Sequence, residues 1–158
     1  IEGRMKTALY VATVARTYRK AIDDYMESEE KYRANMEYYK REIAKCTYRQ
    51  FTTGFYFGKT DSESQIYDSN TYVKNYTYIG TVREVTPDGC VCFEQKNKFL
   101  VGEKLEAMGF DGTNIECEVQ AIYDEEENSM DSAPHPKQKL RVKLDKELET
   151  GIILRRKE

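Results

Sequence analysis

Apolar residues recur at spacings of three and four from Met5 to about Tyr25, at Val11, Val14, Ala15, Tyr18, Ile22 and Tyr25. That spacing lines one face of an α-helix. Arg16, Arg19, Lys20, Asp23 and Asp24 take the opposite face. Ser28, followed by Glu29 and Glu30, signals a second helix, with a hydroxyl cap and then acids near the positive end of the helix dipole. Its apolar stripe is Tyr32, Met36, Tyr39 and Ile43, and it ends near Lys45 or Cys46. Two such helices cannot bury their stripes alone. They must pack on each other, on the domain that follows, or on a partner.

After Arg49 the pattern changes. Phe51 to Gly58 sets three aromatics between two glycines, and β-branched and aromatic residues favour strands. Period-two alternation then predicts strands over Thr52–Phe57, Tyr76–Val85, Cys90–Glu94, Glu103–Met108, Asn114–Tyr123, Gln138–Leu144 and Ile152–Arg155. In Tyr76–Val85 it sets Tyr76, Tyr78, Gly80 and Val82 on one face and Thr77, Ile79 and Thr81 on the other. Pro87-Asp88-Gly89 is a hairpin turn, while Thr60–Asn75 and Asp124–Pro136 read as polar loops. Short strands separated by regular turns predict a mainly β fold, a small closed or nearly closed β-barrel preceded by two α-helices.

The chain is polar, with 34% charged residues, 39% hydrophobic residues and a mean hydropathy of -0.79. Its 13 Tyr and 6 Phe still supply the contact area of a folded domain. No run approaches the ~20 apolar residues of a membrane helix. Residues 1–50 hold 11 Lys and Arg against 8 Asp and Glu, so the later residues carry the acidic balance behind the net charge of -3. An acidic body argues against strong autonomous binding of nucleic acid, although a local basic strip remains open.

Candidate chemistry is sparse. His135 is the one histidine and lies between Pro134 and Pro136, a poor setting for a general base. Cys46, Cys90, Cys92 and Cys117 lack the paired spacing of a zinc site and read as buried, reduced thiols. Asp124–Glu127 lacks the alternation and glycine of a calcium loop. No catalytic, cofactor or metal residues are therefore assigned. Tyr56 is a candidate stacking residue, with core packing expected for Phe55 and Phe57 beside it. Lys96, Lys98, Lys139 and Arg141 are candidate contacts to a substrate or a neighbouring domain. In Asn97–Glu103, Phe99 and Val101 are expected in the core and Lys98 in water.

Several segments together carry a resemblance. They are Leu9–Lys20, Tyr48-Arg49-Gln50 leading into Phe51–Gly58, Tyr78–Val82, Gln95–Phe99, and Gly102-Glu103 with Leu105-Glu106. In these the chain resembles the C-terminal portion of the collagenase-like peptidases of family U-32. The resemblance implies an upstream catalytic barrel and a separate C-terminal β-barrel. It also implies a parent that cleaves collagen-like protein or hydroxylates transfer or ribosomal RNA. Related members hold iron–sulfur clusters through upstream cysteines, so none are carried onto this chain. In fold alone the later strands are similar to the second-domain barrels of translation elongation factors.

The resulting division is a tag-cleavage remnant at residues 1–4 (Ile-Glu-Gly-Arg), a helical segment at 5–47 and a β-barrel at 48–158. The function expected is that of a non-catalytic accessory domain, for docking or for presenting a protein or RNA substrate. An RNA-binding module of a hydroxylating enzyme is the alternative, and a self-sufficient protease a third. The expected partners are the upstream catalytic domain, an RNA or protein substrate, and a second copy through the exposed helices. No membrane contact is expected, and the expected location is cytoplasmic.

Overall fold

The structure is a computed structural model that describes residues 1–46, 53–60 and 74–158. Three helices lead: α1 (Ala8–Glu27), α2 (Glu29–Ala34) and α3 (Met36–Ile43). Thr7 caps α1 by accepting from the Tyr10 amide, and Ser28 caps α2 by accepting from Lys31. The second predicted helix is split at Asn35, whose amide side chain is drawn 3.0 Å to Asp24 on α1. Ten strands follow. They are β1 (Tyr76–Thr81), β2 (Glu84–Val85), β3 (Val91–Glu94), β4 (Phe99–Leu100), β5 (Lys104–Met108), β6 (Asn114–Tyr123), β7 (Ser129–Met130), β8 (Ser132–Ala133), β9 (Lys139–Leu144) and β10 (Ile153–Lys157).

The main sheet runs β1-β10-β5-β6-β9-β3-β2, with β7 beside β6, and all its pairs are antiparallel. The β2–β3 hairpin turns at Thr86–Gly89, where Gly89 takes φ +77, as the Pro-Asp-Gly signal predicts. The ladder is an open path, so the closed barrel expected from the turn spacing is not formed by strand pairing. Its two ends still approach. The Lys96 amide, just past β3, donates to Ile79 of β1 at 2.8 Å. Gly80 makes that approach feasible, because a Cβ there would overlap the Phe93 ring. Phe93 in turn stacks on Phe99, with ring centroids 5.9 Å apart.

Three sequence expectations fail in this body. A register shift between Tyr78 and Gly80 reverses the alternation, so Thr77 and Ile79 and then Gly80 and Val82 are the buried positions. Phe99 is fully buried as expected, but Val101 is 40% exposed. Within Asp124–Pro136 the short strands β7 and β8 interrupt the predicted loop, and β8 pairs with β4.

Residues 53–57 do not form the predicted first strand. They make a turn in which Tyr56 donates its amide to Thr53 and Gly58 to Phe55, with Gly54 and Gly58 at positive φ. Phe55, Tyr56 and Phe57 are 77–85% exposed, so Phe55 and Phe57 are not core residues. With no strand among the described residues paired to it, the glycine-flanked backbone closes on itself. The rest of that stretch, and most of the predicted Thr60–Asn75 loop, lies outside the described residues.

The helices meet the sheet through charge. Arg155 of β10 is fully buried. Its guanidinium donates to Glu106 of β5 (2.7 Å) and Glu42 of α3 (3.0 Å), and it lies 4.9 Å from the Tyr76 ring centroid. Arg16 of α1 reaches the same Glu42 at 2.7 Å, Asn114 at 2.9 Å, and the Gly109 and Thr113 carbonyls at 3.0 Å. Lys45 joins Glu42 (2.6 Å) to Glu106 (3.1 Å). Burial disfavours the charged form of Glu42, yet Lys45 and Arg155 outweigh it and hold its pKa below the usual value. Nearby, Asp24 is buried and accepts from Tyr39 (2.6 Å), Asn35 and Lys20. Desolvation opposes its ionisation, but these bonds lower its pKa to about 2.

This reverses the predicted orientation of α1. Thr13, Thr17, Arg16, Lys20 and Asp24 face inward with Val14, while Val11, Tyr18, Ile22 and Tyr25 are 41–54% exposed. The polar side wins because β10, β5 and the turn before β6 present paired ions and open carbonyls, which an apolar stripe could not satisfy.

Three outcomes follow. Gly80→Ala is expected to destabilise the chain by about 1–3 kcal/mol through the Phe93 clash, read by urea unfolding. Arg155→Met strands Glu42 and Glu106, so a loss of about 3–5 kcal/mol is expected, with hydrogen-exchange protection in α1 and α3 falling first. Asp24 titrates lower in the folded chain than its ordinary 3.8. Its contribution, on the order of 2 kcal/mol, is present above about pH 4 and lost as pH falls through about 2. Asp24→Asn flattens that part of the stability profile.

Candidate functional site

The open end of the sheet leaves a groove of about 350 Å3 between β1 and the β2–β3–β9 face. Tyr78, Arg83, Cys92, Glu94, Lys96 and Lys139 line it. Its walls follow from register. β3 and β9 pair Cys92 with Arg141 and Glu94 with Lys139, which puts these four on the outward face, while Phe93 and Leu140 point into the core. Tyr78 is fixed by a 2.8 Å hydrogen bond between its hydroxyl and that of Thr81, and its carbonyl accepts from the Asn97 side chain, also at 2.8 Å.

Of the residues singled out from sequence, Lys96 and Lys139 are brought together here. Lys96 pairs with Glu94, and Lys139 lies 3.4 Å from Glu125. Arg141 is on the same face but engaged: it contacts Asp88 at 3.1 Å and Glu127 at 3.6 Å, and stacks 4.6 Å from the Tyr123 centroid. Lys98 is exposed on the turn before β4, where its carbonyl accepts from Arg156. Tyr56 lies in the exposed turn and is not among the groove residues. Sequence reading missed Tyr78 and Arg83. Arg83 sits in the two-residue break between β1 and β2, which the unbroken alternation of Tyr76–Val85 does not mark.

Glu94 is the acid around which the cations gather. Its pKa is lowered first by the Lys96 hydrogen bond and charge, which outweigh desolvation, with smaller contributions from Lys137 and Arg83. The thiols are unsuited to nucleophilic work, because burial raises the pKa of Cys46, Cys90 and Cys92, and that of Cys117 to about 12. Among the described residues no three His, Cys, Asp or Glu converge on a common point. His135 stays exposed.

A second surface lies across the helices. Val11, Tyr18, Ile22 and Tyr25 stand out from α1, and Met26 is 78% exposed. Beside them a groove of about 360 Å3 runs between Ala12, Ala15 and Arg19 of α1 and Phe110, Gly151 and Ile153 of the sheet. Phe110 is 66% exposed. No helix among the described residues is long and apolar enough to cross a membrane.

Comparison with known proteins places both surfaces in one family. The Peptidase family U32 C-terminal domain matches residues 74–155, and Peptidase family U32 matches residues 1–66. The chain is 34% identical over 157 residues to tRNA hydroxylation protein P1 of Bacillus subtilis, covering 99% of itself and 37% of that protein. It is 29% identical over 155 residues to tRNA hydroxylation protein P of Escherichia coli, covering 98% of itself and 33% of that protein. It thus spans about a third of these curated relatives. The C-terminal domain of a Geobacillus thermoleovorans protein assigned to the U32 peptidases is 28% identical over 51% of this chain and 99% of that one, with a TM-score of 0.46. The chain belongs to peptidase family U32, and its residues 74–155 are that family's C-terminal domain.

Proposed function

We propose that this chain is a non-catalytic accessory module of a U32 protein that acts on transfer RNA. It docks on the catalytic portion through the apolar face of α1 and carries the β-sheet rigidly behind it. The observation that carries this reading is the inverted helix. α1 spends its polar side on Arg155, Glu42 and Glu106 and leaves Val11, Tyr18, Ile22 and Tyr25 outward. Apolar stripes of this size on a folded chain mark contact surfaces. The stripe falls within the stretch matched by Peptidase family U32, while the sheet it is tied to is the family's C-terminal domain. A charged, buried junction between the two is a stiff coupling, suited to holding one at a set distance from the other. The substrate class is carried over from the relatives named tRNA hydroxylation proteins. A cytoplasmic place of action goes with transfer RNA and with reduced thiols.

The thiols, His135 and the groove offer no nucleophile with a matched base, so the purified chain is expected to leave gelatin intact; cleavage that persists through repurification sinks the reading. Docking is tested by replacing the matching portion of the Bacillus subtilis protein with this chain in a strain lacking that protein. The chimera is expected to restore tRNA hydroxylation. Tyr18→Glu with Ile22→Glu is expected to abolish it while shifting the chain's own thermal midpoint by less than ~2 °C, the scale of an exposed substitution. Full activity from the doubly acidic chimera removes α1 as the docking face.

A further inference from the structure

We infer that the groove between β1 and the β2–β3–β9 face is a contact site for single-stranded RNA, with Arg83, Lys96, Lys137 and Lys139 on phosphates and the Tyr78 ring under a base. The inference rests on the RNA reading above and names the surface that would serve it.

Charge is the first argument. Residues 51–158 carry the chain's acidic excess, yet around Glu94 the balance is reversed. Lys96, Lys137 and Arg83 all stabilise its carboxylate, and Lys139 is its cross-strand partner. Glu84 is the other acid on the groove wall. The cations are also available. The Arg83 guanidinium has no acceptor among the described residues, and the Lys139–Glu125 contact is exposed at both ends, 74% and 63%. Exposed pairs of this kind are worth about 0–1 kcal/mol, so a phosphate can displace them.

Shape is the second. The groove exists because the ladder does not close, and at about 350 Å3 it is on the scale of one splayed nucleotide. Single-stranded RNA is read in this way, with bases on aromatic faces and phosphates on Lys and Arg. Tyr78 is half-buried and its hydroxyl is tied to Thr81, so the ring is held in place before a ligand arrives.

Backbone strain is the third. Lys137 adopts φ 67, a left-handed conformation in which glycine would sit without cost. Its amide donates to Gln95 at 2.9 Å, which sets it beside the groove. A lysine at a position that prefers glycine stands beside the groove at a backbone cost, which fits a use for its charge.

The test is fluorescence anisotropy of the 158-residue chain with labelled oligouridylate and with transfer RNA, at about 50 and about 200 mM salt. Wild type is expected to bind both, more weakly at the higher salt. Arg83→Gln with Lys96→Gln and Lys139→Gln is expected to weaken oligouridylate binding by at least roughly tenfold. It should also lower the slope of log affinity against log salt by about 2, three lost single-strand phosphate contacts. Lys104→Gln, on β5 away from the groove, changes neither. Lys137→Gly is expected to weaken binding without lowering the thermal midpoint, which separates a binding role from a structural one. Wild-type binding that survives the triple substitution overturns the groove and leaves the RNA reading standing. Absence of binding to either RNA at low salt overturns both. Polyglutamate that competes as well as RNA overturns the inference in favour of an acidic protein partner.

Discussion

The buried charge at Arg155 is the constraint from which the rest of the arrangement follows. A guanidinium with no solvent exposure cannot stay unpaired, and its partners come from three directions: Glu106 in the sheet, Glu42 on α3 and the Tyr76 ring. Arg16 and Lys45 then compensate the second carboxylate. Each member is satisfied only when α1, α3, β5 and β10 are in place together. Such a network costs desolvation and contributes little net stability over an apolar core, but it tolerates few alternative placements. It fixes which side of α1 meets the sheet.

That choice has a consequence at the surface. Because α1 turns its hydroxyls and charges inward, its apolar stripe is left outward beside Phe110. An amphipathic helix normally offers its apolar side to its own domain. Here the domain behind it takes the polar side, so the apolar side is left exposed. The sheet shows a parallel economy. Gly80 lets β1 come up against Phe93, and hydrogen bonds from the Lys96 amide to Ile79 and from the Asn97 side chain to Tyr78 draw the ends together without pairing them as strands. The unclosed seam is what exposes Tyr78, Arg83 and the lysines as a groove.

Much of the sheet was legible in the sequence. Asn114–Tyr123 is a strand at the predicted residues, the Pro87-Asp88-Gly89 turn is in place, and β3, β5, β9 and β10 fall within a residue or two of their predicted bounds, whereas the predicted Tyr76–Val85 strand is broken into β1 and β2. Lys96 and Lys139, chosen for charge alone, share the groove, whereas Lys98 and Arg141 do not, because register and local acids decide where a lysine or arginine points. The aromatic run ending at Gly58 misled. Its composition fits a strand, but at residues 53–57 the chain turns and exposes its rings. The bulge after Tyr78 was equally hidden, since an extra residue in one strand shows only against its partner.

By itself the sequence determined the periods: two capped helical stretches, a run of short strands, glycine turns, and the absence of any histidine-based catalytic set. These are local properties, set by spacing and by the backbone preferences of Gly, Pro, Ser and the β-branched residues. Only the tertiary structure decided which face of each element is inside. Periodicity marks a stripe without saying what will cover it. For α1 the answer lay in Arg155, Glu42 and Asn114, residues more than twenty positions away, whose burial made the polar face the one that had to be satisfied.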